Sequence, residues 1–231
     1  MSRNSNYTIK GVIFDLDGTL VDSLFDITEA INAVFEKHEI ALADIDKVRK
    51  LLGHGLTDLV SQLLPESLQN EDYIAELVTS IRQHYLNVCV ENTRFYKGIP
   101  EIMDQLSLRS VKMALLSNKH ESGVKAIADK ILNKWSFSYI AGANEHFPLK
   151  PNPAMVYEII KHFGLAAEEV LFIGDSETDI KTARNAGVLS AAVSWGYRDV
   201  NELVKENPDF VIENAEEILD IIDNYTKKES N

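Results

Sequence analysis

Four aspartates follow two short apolar segments of the chain, and their chemistry suits a divalent cation. Asp15 and Asp17 come after the first apolar segment, and Asp175 and Asp179 come after the fourth. Carboxylates gathered in one place repel one another and take up protons unless a cation neutralises them. A carboxylate-rich, all-oxygen site favours Mg²⁺, which accepts phosphate oxygens as further ligands. If the two segments are neighbouring strands, we expect Asp15, Asp17 and Asp175 to converge on Mg²⁺.

Each acidic pair also has a structural explanation that needs no cation. An acidic turn with glycine commonly precedes a helix, so for Asp15 and Asp17 taken alone the two interpretations stay equally open. Ser176 with Asp179 three residues later matches a capping box, which leaves Asp175 unexplained. No two histidines have the i, i+4 spacing of a metal-binding helix, so histidine offers no rival metal site.

Three other polar residues lie where they could complete the chemistry. Ser117 and Asn118 close the second apolar segment, where they offer a hydroxyl group and free backbone amides. Lys150 is held extended by the proline that follows it. Taken alone, Ser117 and Asn118 suit an ordinary turn and Lys150 suits a solvated side chain. Beside carboxylates, however, an ammonium and a hydroxyl group are what a phosphoryl group in transfer requires.

The elements that must position these residues alternate between strands and helices. Short apolar segments predict six strands, and several lack the alternation of a half-exposed strand: Ile9–Asp15, Val111–Ser117, Ser138–Ala141, Val170–Gly174, Leu189–Ser194 and Asp209–Ile212. Helical patterns lie between and after them: Ile99–Leu108, Glu121–Leu132, Pro153–Phe163, Glu177–Ala186 and Ala215–Ile222. This order predicts an α/β fold, a Rossmann-like parallel sheet with helices on both faces.

One interval of the chain, residues 22–94, interrupts the alternation. It carries only helical patterning, with apolar residues at helical spacing in two places, first Leu24, Ile27, Ile31 and Val34, then Ile74, Leu77, Ile81 and Tyr85. Because the interval is too long for a connecting loop, we expect an inserted α-helical cap domain. Its position after the first strand predicts that it lies over the carboxyl end of that strand.

The composition of the chain disfavours several classes of function. The chain has 231 residues and a formal net charge of −13, which disfavours nucleic-acid binding because phosphate backbones need a basic surface. No stretch is long and apolar enough for a membrane span, and we expect no secretion signal because residues 1–7 lack an apolar stretch. The single cysteine, Cys89, fits a reducing compartment, so we expect a cytoplasmic protein. An anionic substrate would need local positive charge or a metal ion.

Four motifs in order give the chain a resemblance to a known family. They are DxDGTxxDS from Asp15, LLSNK from Leu115, LKPNP from Leu149 and GDSETD from Gly174. The set resembles the haloacid dehalogenase-like hydrolase superfamily, and more narrowly its phosphoglycolate phosphatase-like branch with a helical cap. The resemblance covers about residues 9–222. It implies a hydrolase core formed by residues 1–21 and 95–231, with the cap at 22–94.

The resemblance also implies a role for each acidic residue. Asp15 would be the nucleophile that forms an aspartyl-phosphate, which splits ester hydrolysis into two displacements. Asp17 would protonate the leaving alkoxide and then deprotonate the attacking water. Mg²⁺ would be held by Asp15, the backbone carbonyl of Asp17 and Asp175, while Asp179 would hold the site from behind these ligands.

The remaining polar residues receive roles in the same way. Ser117 and the amide of Asn118 would bind phosphoryl oxygens, and Lys150 would reduce the repulsion between nucleophile and phosphate. In the cap, Gly53-His54-Gly55 resembles the glycine-rich element of this branch. Arg49 or His54 could there meet a substrate carboxylate, although an ordinary turn with exposed basic residues explains them equally well.

The expected function is therefore Mg²⁺-dependent hydrolysis of a small phosphorylated metabolite, with 2-phosphoglycolate as the first candidate. A phosphomutase is the alternative on the same scaffold, in which a sugar phosphate replaces water as acceptor. A phosphoacceptor signalling domain would use a similar aspartate, hydroxyl and lysine, but Asp17, the insert and the chain length disfavour it. We expect a monomer or homodimer that binds neither nucleic acid nor membrane.

Overall fold

The computed structural model describes residues 6–225 and 227–228. Its strands are β1 Asn6–Tyr7, β2 Gly11–Phe14, β3 Val21–Asp22, β4 Arg94–Phe95, β5 Lys112–His120, β6 Tyr139–Ala143, β7 Val170–Gly174, β8 Leu189–Val193, β9 Phe210–Ile212 and β10 Lys227–Lys228. Its α-helices are α1 Leu24–Lys37, α2 Ile45–Leu51, α3 Leu56–Leu63, α4 Glu71–Val88, α5 Ile99–Leu108, α6 Glu121–Ile127, α7 Ala154–Phe163, α8 Glu177–Ala186, α9 Val200–Lys205 and α10 Glu217–Asn224. No helix in these residues is both long and apolar enough to span a membrane.

A six-stranded parallel sheet forms the centre of the protein, in the order β6-β5-β2-β7-β8-β9. Strand β2 lies between β5 and β7, with Phe14 opposite Leu115 and Ile173. The fourth apolar segment therefore lies beside the first, which is the condition under which Asp15 and Asp175 are expected to converge. Because the strands are parallel and in register, the residues that follow each of them meet at one edge of the sheet.

Both faces of the sheet are covered by helices, which confirms the predicted fold class. All four residues of β2 are buried, and their side chains alternate between two apolar cores. Val12 and Phe14 belong to the core that also contains residues of α5, α6 and α10. Ile13 belongs to the core that contains residues of α7 and α8.

The interval between β3 and β4 contains the helices α1 to α4, as the sequence predicts. Helix α1 packs against α4 and α2, and α3 packs against α4, through apolar residues such as Ile31, Leu59 and Leu77. The interval is not wholly helical at its ends, however. Val21–Asp22 and Arg94–Phe95 pair as a short antiparallel ribbon, so the two connections to the sheet lie side by side. Strands of two residues are too short to leave a periodic pattern in the sequence.

Several helix ends agree with the predicted signals. Gly164 and Gly187 adopt left-handed conformations directly after α7 and α8, with φ of 63° and 74°. Helix α8 begins at the capping box of Ser176 and Asp179. The predicted helix from Glu121 does not run unchanged to Leu132, because α6 ends at Ile127 and a π-helical turn follows it.

Candidate active site

Three aspartates form a buried cluster where β2 and β7 end. One carboxylate oxygen from each of Asp15, Asp175 and Asp179 lies within 4.8 Å of the other two. All three side chains are buried. The neighbouring strands deliver Asp15 and Asp175, and the first turn of α8 delivers Asp179. The predicted meeting of Asp15 with Asp175 is therefore present, whereas the Asp17 carboxylate lies elsewhere.

Lys150 provides the positive charge inside this cluster. Its Nζ lies 2.9 Å from Asp15 Oδ1 and 2.6 Å from Asp179 Oδ1, and the side chain is almost fully buried. Burial alone lowers the pKa of Lys150, but Asp15 and Asp179 outweigh it and raise that pKa above its ordinary value. The ammonium therefore stays charged and screens the two carboxylates from each other.

Asn118 fixes the position of Lys150 from the adjacent strand. Its Oδ1 accepts a hydrogen bond of 2.8 Å from the Lys150 amide, and its Nδ2 donates to the Lys150 carbonyl over 3.1 Å. The same Nδ2 lies 2.8 Å from the carbonyl of Gly53, which belongs to the inserted helical segment. Asn118 thus connects the sheet edge, the lysine loop and the insert.

The donor set and its surroundings fit a divalent cation. Burial raises the pKa of Asp15 to about 6 despite Lys150, and burial followed by repulsion from Asp15 and Asp179 raises the pKa of Asp175 well above its usual range. Apart from the Lys150 ammonium at 2.9 Å, Asp15 Oδ1 has no hydrogen-bond partner within the described residues. Buried carboxylates in this condition need either protons or a cation, and their oxygens suit Mg²⁺.

Two glycines allow the chain to approach Asp175 closely. A Cβ atom added to Gly18 or to Gly196 would lie 2.2 Å from the nearest Asp175 side-chain atom. Gly18 also has a φ of +88°, which side chains rarely tolerate. The carboxylate of Asp175 is held there by the Tyr197 amide, which donates to Oδ2 over 2.8 Å. Any larger residue at these glycines would displace a member of the cluster.

Asp17 lies in a separate environment from Asp15. Its carboxylate oxygens lie 2.9 Å and 3.0 Å from Lys119 Nζ, and Oδ1 accepts a short hydrogen bond from the Ser23 hydroxyl. Lys119 is largely shielded from solvent, which lowers its pKa, but the charge of Asp17 outweighs this effect and raises that pKa. Lys119 is the last residue of the motif LLSNK, but the sequence alone did not indicate a role for it, because one lysine after a strand is usually solvated.

The candidate phosphate-binding residues lie at the same sheet edge. Ser117 and Asn118 are buried at the carboxyl end of β5, and both line the cavity beside the acidic cluster. Ser117 Oγ accepts a hydrogen bond of 3.2 Å from the Lys119 amide, which directs the turn at the end of the strand. The structure therefore places Asp15, Asp175, Asp179, Lys150, Ser117 and Asn118 at one edge of the sheet, while Asp17 lines the same cavity with its carboxylate bound to Lys119 and Ser23.

A cavity of about 100 Å³ opens between this sheet edge and the inserted helices. Its wall includes Asp15, Asp17 and Lys150 from the sheet side, and Leu56, Leu59, Ile81, Arg82 and Tyr85 from the insert. Arg82 was not identified as a site residue from the sequence, and the pattern indicated Tyr85 only as part of an apolar helix face. The helical period identifies which residues share a face, but it does not identify what that face covers.

The two candidate specificity residues lie outside this lining, as far as the described residues define it. Arg49 Nη1 contacts Asp46 Oδ1 at 2.8 Å on the surface of α2. His54 Nε2 lies 3.6 Å from Glu177 Oε1, near the start of α8. Their predicted contact with substrate stays a prediction.

Comparison with known proteins agrees with the site. The family model described as haloacid dehalogenase-like hydrolase matches residues 12–193. Phosphoglycolate phosphatase 1 of Pseudomonas aeruginosa is 33% identical over 92% of this chain and 79% of its own length. The phosphoglycolate phosphatase of Aquifex aeolicus is 31% identical over 93% of this chain and 97% of its own length.

Solved structures extend the agreement to the fold. A crystal structure from Lactobacillus delbrueckii subsp. bulgaricus has a TM-score of 0.85 and 27% identity, over 93% of this chain and 98% of that one. A haloacid dehalogenase-like family hydrolase from Streptococcus pneumoniae has a TM-score of 0.81 and 25% identity, over 92% and 97%. The chain therefore belongs to the haloacid dehalogenase-like hydrolase family and is a phosphatase of that family.

Proposed function

We propose that this phosphatase is Mg²⁺-dependent and hydrolyses a small phosphate monoester through phosphorylation of Asp15, with 2-phosphoglycolate as the first candidate substrate. The observation that carries the proposal is the buried trio of Asp15, Asp175 and Asp179 with Lys150 against it. The names of the relatives from Pseudomonas aeruginosa and Aquifex aeolicus support the choice of substrate.

Asp15, Asp175 and the backbone carbonyl of Asp17 would hold the Mg²⁺ ion, and Asp179 would keep the cluster aligned. Asp179 is suited to this because Ser176 donates to its Oδ2 from both the amide and the hydroxyl, while Lys150 binds its Oδ1. When bound, Mg²⁺ supplies positive charge that offsets the repulsion between a phosphate and the Asp15 carboxylate.

Asp15 would attack first. One of its carboxylate oxygens forms a bond to phosphorus while the bond between phosphorus and the ester oxygen breaks. Asp17 donates its proton to the departing alkoxide, and then takes a proton from the water that attacks the aspartyl-phosphate. Inorganic phosphate leaves and the Asp15 carboxylate is restored. Lys119 and Ser23 hold Asp17 in place for both proton transfers.

The negative charge of the phosphoryl group would be bound by residues near the carboxyl end of β5 and by the lysine that precedes Pro151. Ser117 Oγ and the amide of Asn118 suit two phosphoryl oxygens, and Lys150 suits a third. These groups are held rigidly by the hydrogen bonds between Asn118 and Lys150. Such preorganised donors stabilise developing charge without rearrangement during the reaction.

Residues 22–94 would act as the cap, and residues 1–21 and 95–231 as the catalytic core. The cavity between α4 and the sheet edge supports this division. A cap over the site excludes bulk water from the ester and selects the substrate, and it opens to release product. The cytoplasmic location and the monomeric or homodimeric state stay predictions.

Phosphate release from a panel of phosphorylated metabolites, with and without Mg²⁺, tests the proposal. We expect 2-phosphoglycolate to rank first, chelation to stop turnover reversibly, and Asp15→Asn to abolish it. Asp220→Asn is the matched control, because Asp220 is an exposed aspartate on α10. Undiminished hydrolysis by the Asp15 variant would refute the mechanism. Conversion of a hexose 1-phosphate to its isomer without phosphate release would favour a mutase instead.

A further inference from the structure

One cationic side chain in the cavity has no acidic partner. Of the lysines and arginines that line it, Lys119 pairs with Asp17, Lys150 with Asp15, and Arg198 with Glu177. Arg82, on α4, forms no salt bridge within the described residues, and its buried Nε has no hydrogen-bond partner there. Arg82 is half-buried, but its Nε is shielded from water without gaining a partner, so this position favours an incoming anion.

Tyr85 adds a second unpaired group to the same wall. It lies three residues after Arg82 on α4, and residues at this spacing project from the same side of a helix. Its hydroxyl is buried and has no hydrogen-bond partner among the described residues. The Lys119 ammonium lies over its ring, 4.3 Å from the centroid. Two residues of one helix that each carry an unpaired donor therefore line the cavity that contains Asp15.

The electrostatic surroundings agree with an anion at this point. Burial lowers the pKa of Arg82, and no neighbouring carboxylate compensates. Burial, followed by the positive charge of Arg82, lowers the pKa of His120, which also lines the cavity. A negatively charged ligand group would balance the positive charge of Arg82. A guanidinium binds a carboxylate through two parallel hydrogen bonds.

We propose that Arg82 and the Tyr85 hydroxyl bind a carboxylate at the end of the substrate remote from its phosphoryl group. The enzyme then prefers phosphate esters of short hydroxy acids over esters of neutral alcohols. This inference rests on the proposed function, since it assumes that the phosphoryl group lies at Asp15. It places carboxylate recognition on α4 and not on the turn that contains Arg49 and His54.

Two esters of matched size test the inference: 2-phosphoglycolate and 2-hydroxyethyl phosphate, in which a neutral hydroxymethyl group replaces the carboxylate. The readout is the ratio of kcat/KM for the first ester to that for the second. A charge-assisted hydrogen bond implies that Arg82→Gln lowers this ratio by about 10- to 100-fold, mainly through KM for 2-phosphoglycolate. Tyr85→Phe lowers it by about fivefold.

Control variants separate recognition from folding. Arg82→Lys keeps the charge but not the paired donors, so the ratio falls less than in Arg82→Gln. Arg109→Gln removes an arginine on the far side of the molecule, paired with Asp223, and leaves the ratio at the wild-type value. An unchanged ratio in both Arg82 variants, with wild-type thermal melting, overturns the inference. If the wild-type enzyme hydrolyses neither ester, the proposed function fails instead.

Discussion

Asp15 and Asp17 are two residues apart and chemically identical, yet their partners give them different chemistry. Asp15 lies among two other buried carboxylates and Lys150, where a nucleophile needs a nearby cation. Asp17 lies between Lys119 and Ser23, outside the cluster, and the proposed function assigns it the proton transfers. Such a division of labour between neighbouring carboxylates is set by their environments and not by their residue type.

The separate roles of Asp15 and Asp17 predict which step of the reaction slows in the Asp17→Asn variant. p-Nitrophenyl phosphate has a leaving group that needs no proton, so the variant should still phosphorylate Asp15 with it. Breakdown of the aspartyl-phosphate needs a base, so it should slow by about 100- to 10,000-fold. Rapid mixing should therefore record a burst of nitrophenol equal to the enzyme concentration, then slow turnover. A linear time course from the start would argue against a base role for Asp17.

At the residue scale, the sequence identifies those site residues that the strands position directly. Asp15 and Asp175 directly follow strands, and Ser117 and Asn118 lie near the end of β5, so their meeting at one sheet edge could be predicted if these strands are neighbours. Arg82 and Tyr85 could not be assigned in the same way. They lie on a helix whose position over the sheet depends on tertiary packing, which local patterns do not encode.

At the scale of elements, Arg198 fastens the loop after β8 to the insert. Its guanidinium donates to the carbonyl of Arg49 over 3.0 Å and to the carbonyl of Leu52, while Nε lies 3.3 Å from Glu177. These bonds satisfy carbonyl groups at the end of α2, which a helix cannot satisfy itself. One side chain thus joins the core to the segment that leads to Gly53.

Arg198→Ala should loosen the insert without unfolding the core. We expect faster amide hydrogen exchange across residues 45–56, and kcat/KM lower by about tenfold because closure is less favourable. Arg109→Ala, with its surface ion pair, serves as the control. Exchange rates that match the wild type in residues 45–56 would show that Arg198 does not hold the insert.

Asp26 anchors the return of the chain from the insert. Its fully buried carboxylate accepts hydrogen bonds from the amides of Asn92 and Thr93 and from both of their side chains. It thereby fixes the connection between α4 and β4 to the first turn of α1. Four donors on one carboxylate satisfy a charge that would otherwise be costly to bury.

Asp26→Ala should therefore reduce the free energy of unfolding by about 3 kcal/mol, because four donors lose their acceptor and the two on Thr93 are buried. Urea denaturation measures this loss. The exposed control Asp220→Ala should change stability by no more than about 0.5 kcal/mol. Equal midpoints for the two variants would contradict the anchoring role of Asp26.

Strands and helices with strong local sequence patterns could be predicted, and those with weak patterns could not. The unbroken apolar run Val170–Gly174 is a strand with the predicted limits, and the helix Ile99–Leu108 also agrees. The ribbon of Val21–Asp22 with Arg94–Phe95 depends on pairing across the whole insert. The π-helical turn after Ile127 depends on packing, since the helical pattern continues through it.

At the scale of the whole molecule, the chain carries a net charge of −13 but must bind an anion. The cavity resolves this conflict locally, because Lys119, Lys150, Arg82 and Arg198 all line it. A cation at the aspartate cluster would add to this local positive charge. Within a closed cavity, such charges act with little screening by salt.

Cation binding should depend on pH in a defined direction. Without a cation, the pKa of Asp15 is raised to about 6 by burial and by Asp179 and Asp17, against the opposing charge of Lys150. Below that pH the folded protein holds a proton there that Mg²⁺ must displace. The metal-free protein loses the corresponding stability as the pH rises through the raised value.

The part of the Mg²⁺ affinity that depends on Asp15, measured by calorimetry as the difference between the wild type and Asp15→Asn, should therefore rise by about tenfold per pH unit from pH 5 towards pH 6, and level off above pH 7. The stabilisation of thermal melting by Mg²⁺ should increase in parallel. Asp15→Asn should remove the part of this dependence that comes from Asp15. An affinity independent of pH across this range would mean that the cluster does not release a proton on binding.

The most direct measurement identifies the residue that becomes phosphorylated. The enzyme is mixed with substrate and Mg²⁺, quenched with acid during turnover, and reduced with borohydride, which converts an aspartyl-phosphate to homoserine. Peptide mass spectrometry should find homoserine at position 15 and an unmodified Asp17. Asp15→Asn should yield no homoserine under the same conditions. Homoserine at another aspartate, or phosphate retained on a serine or histidine, would contradict the central claim that Asp15 is the nucleophile.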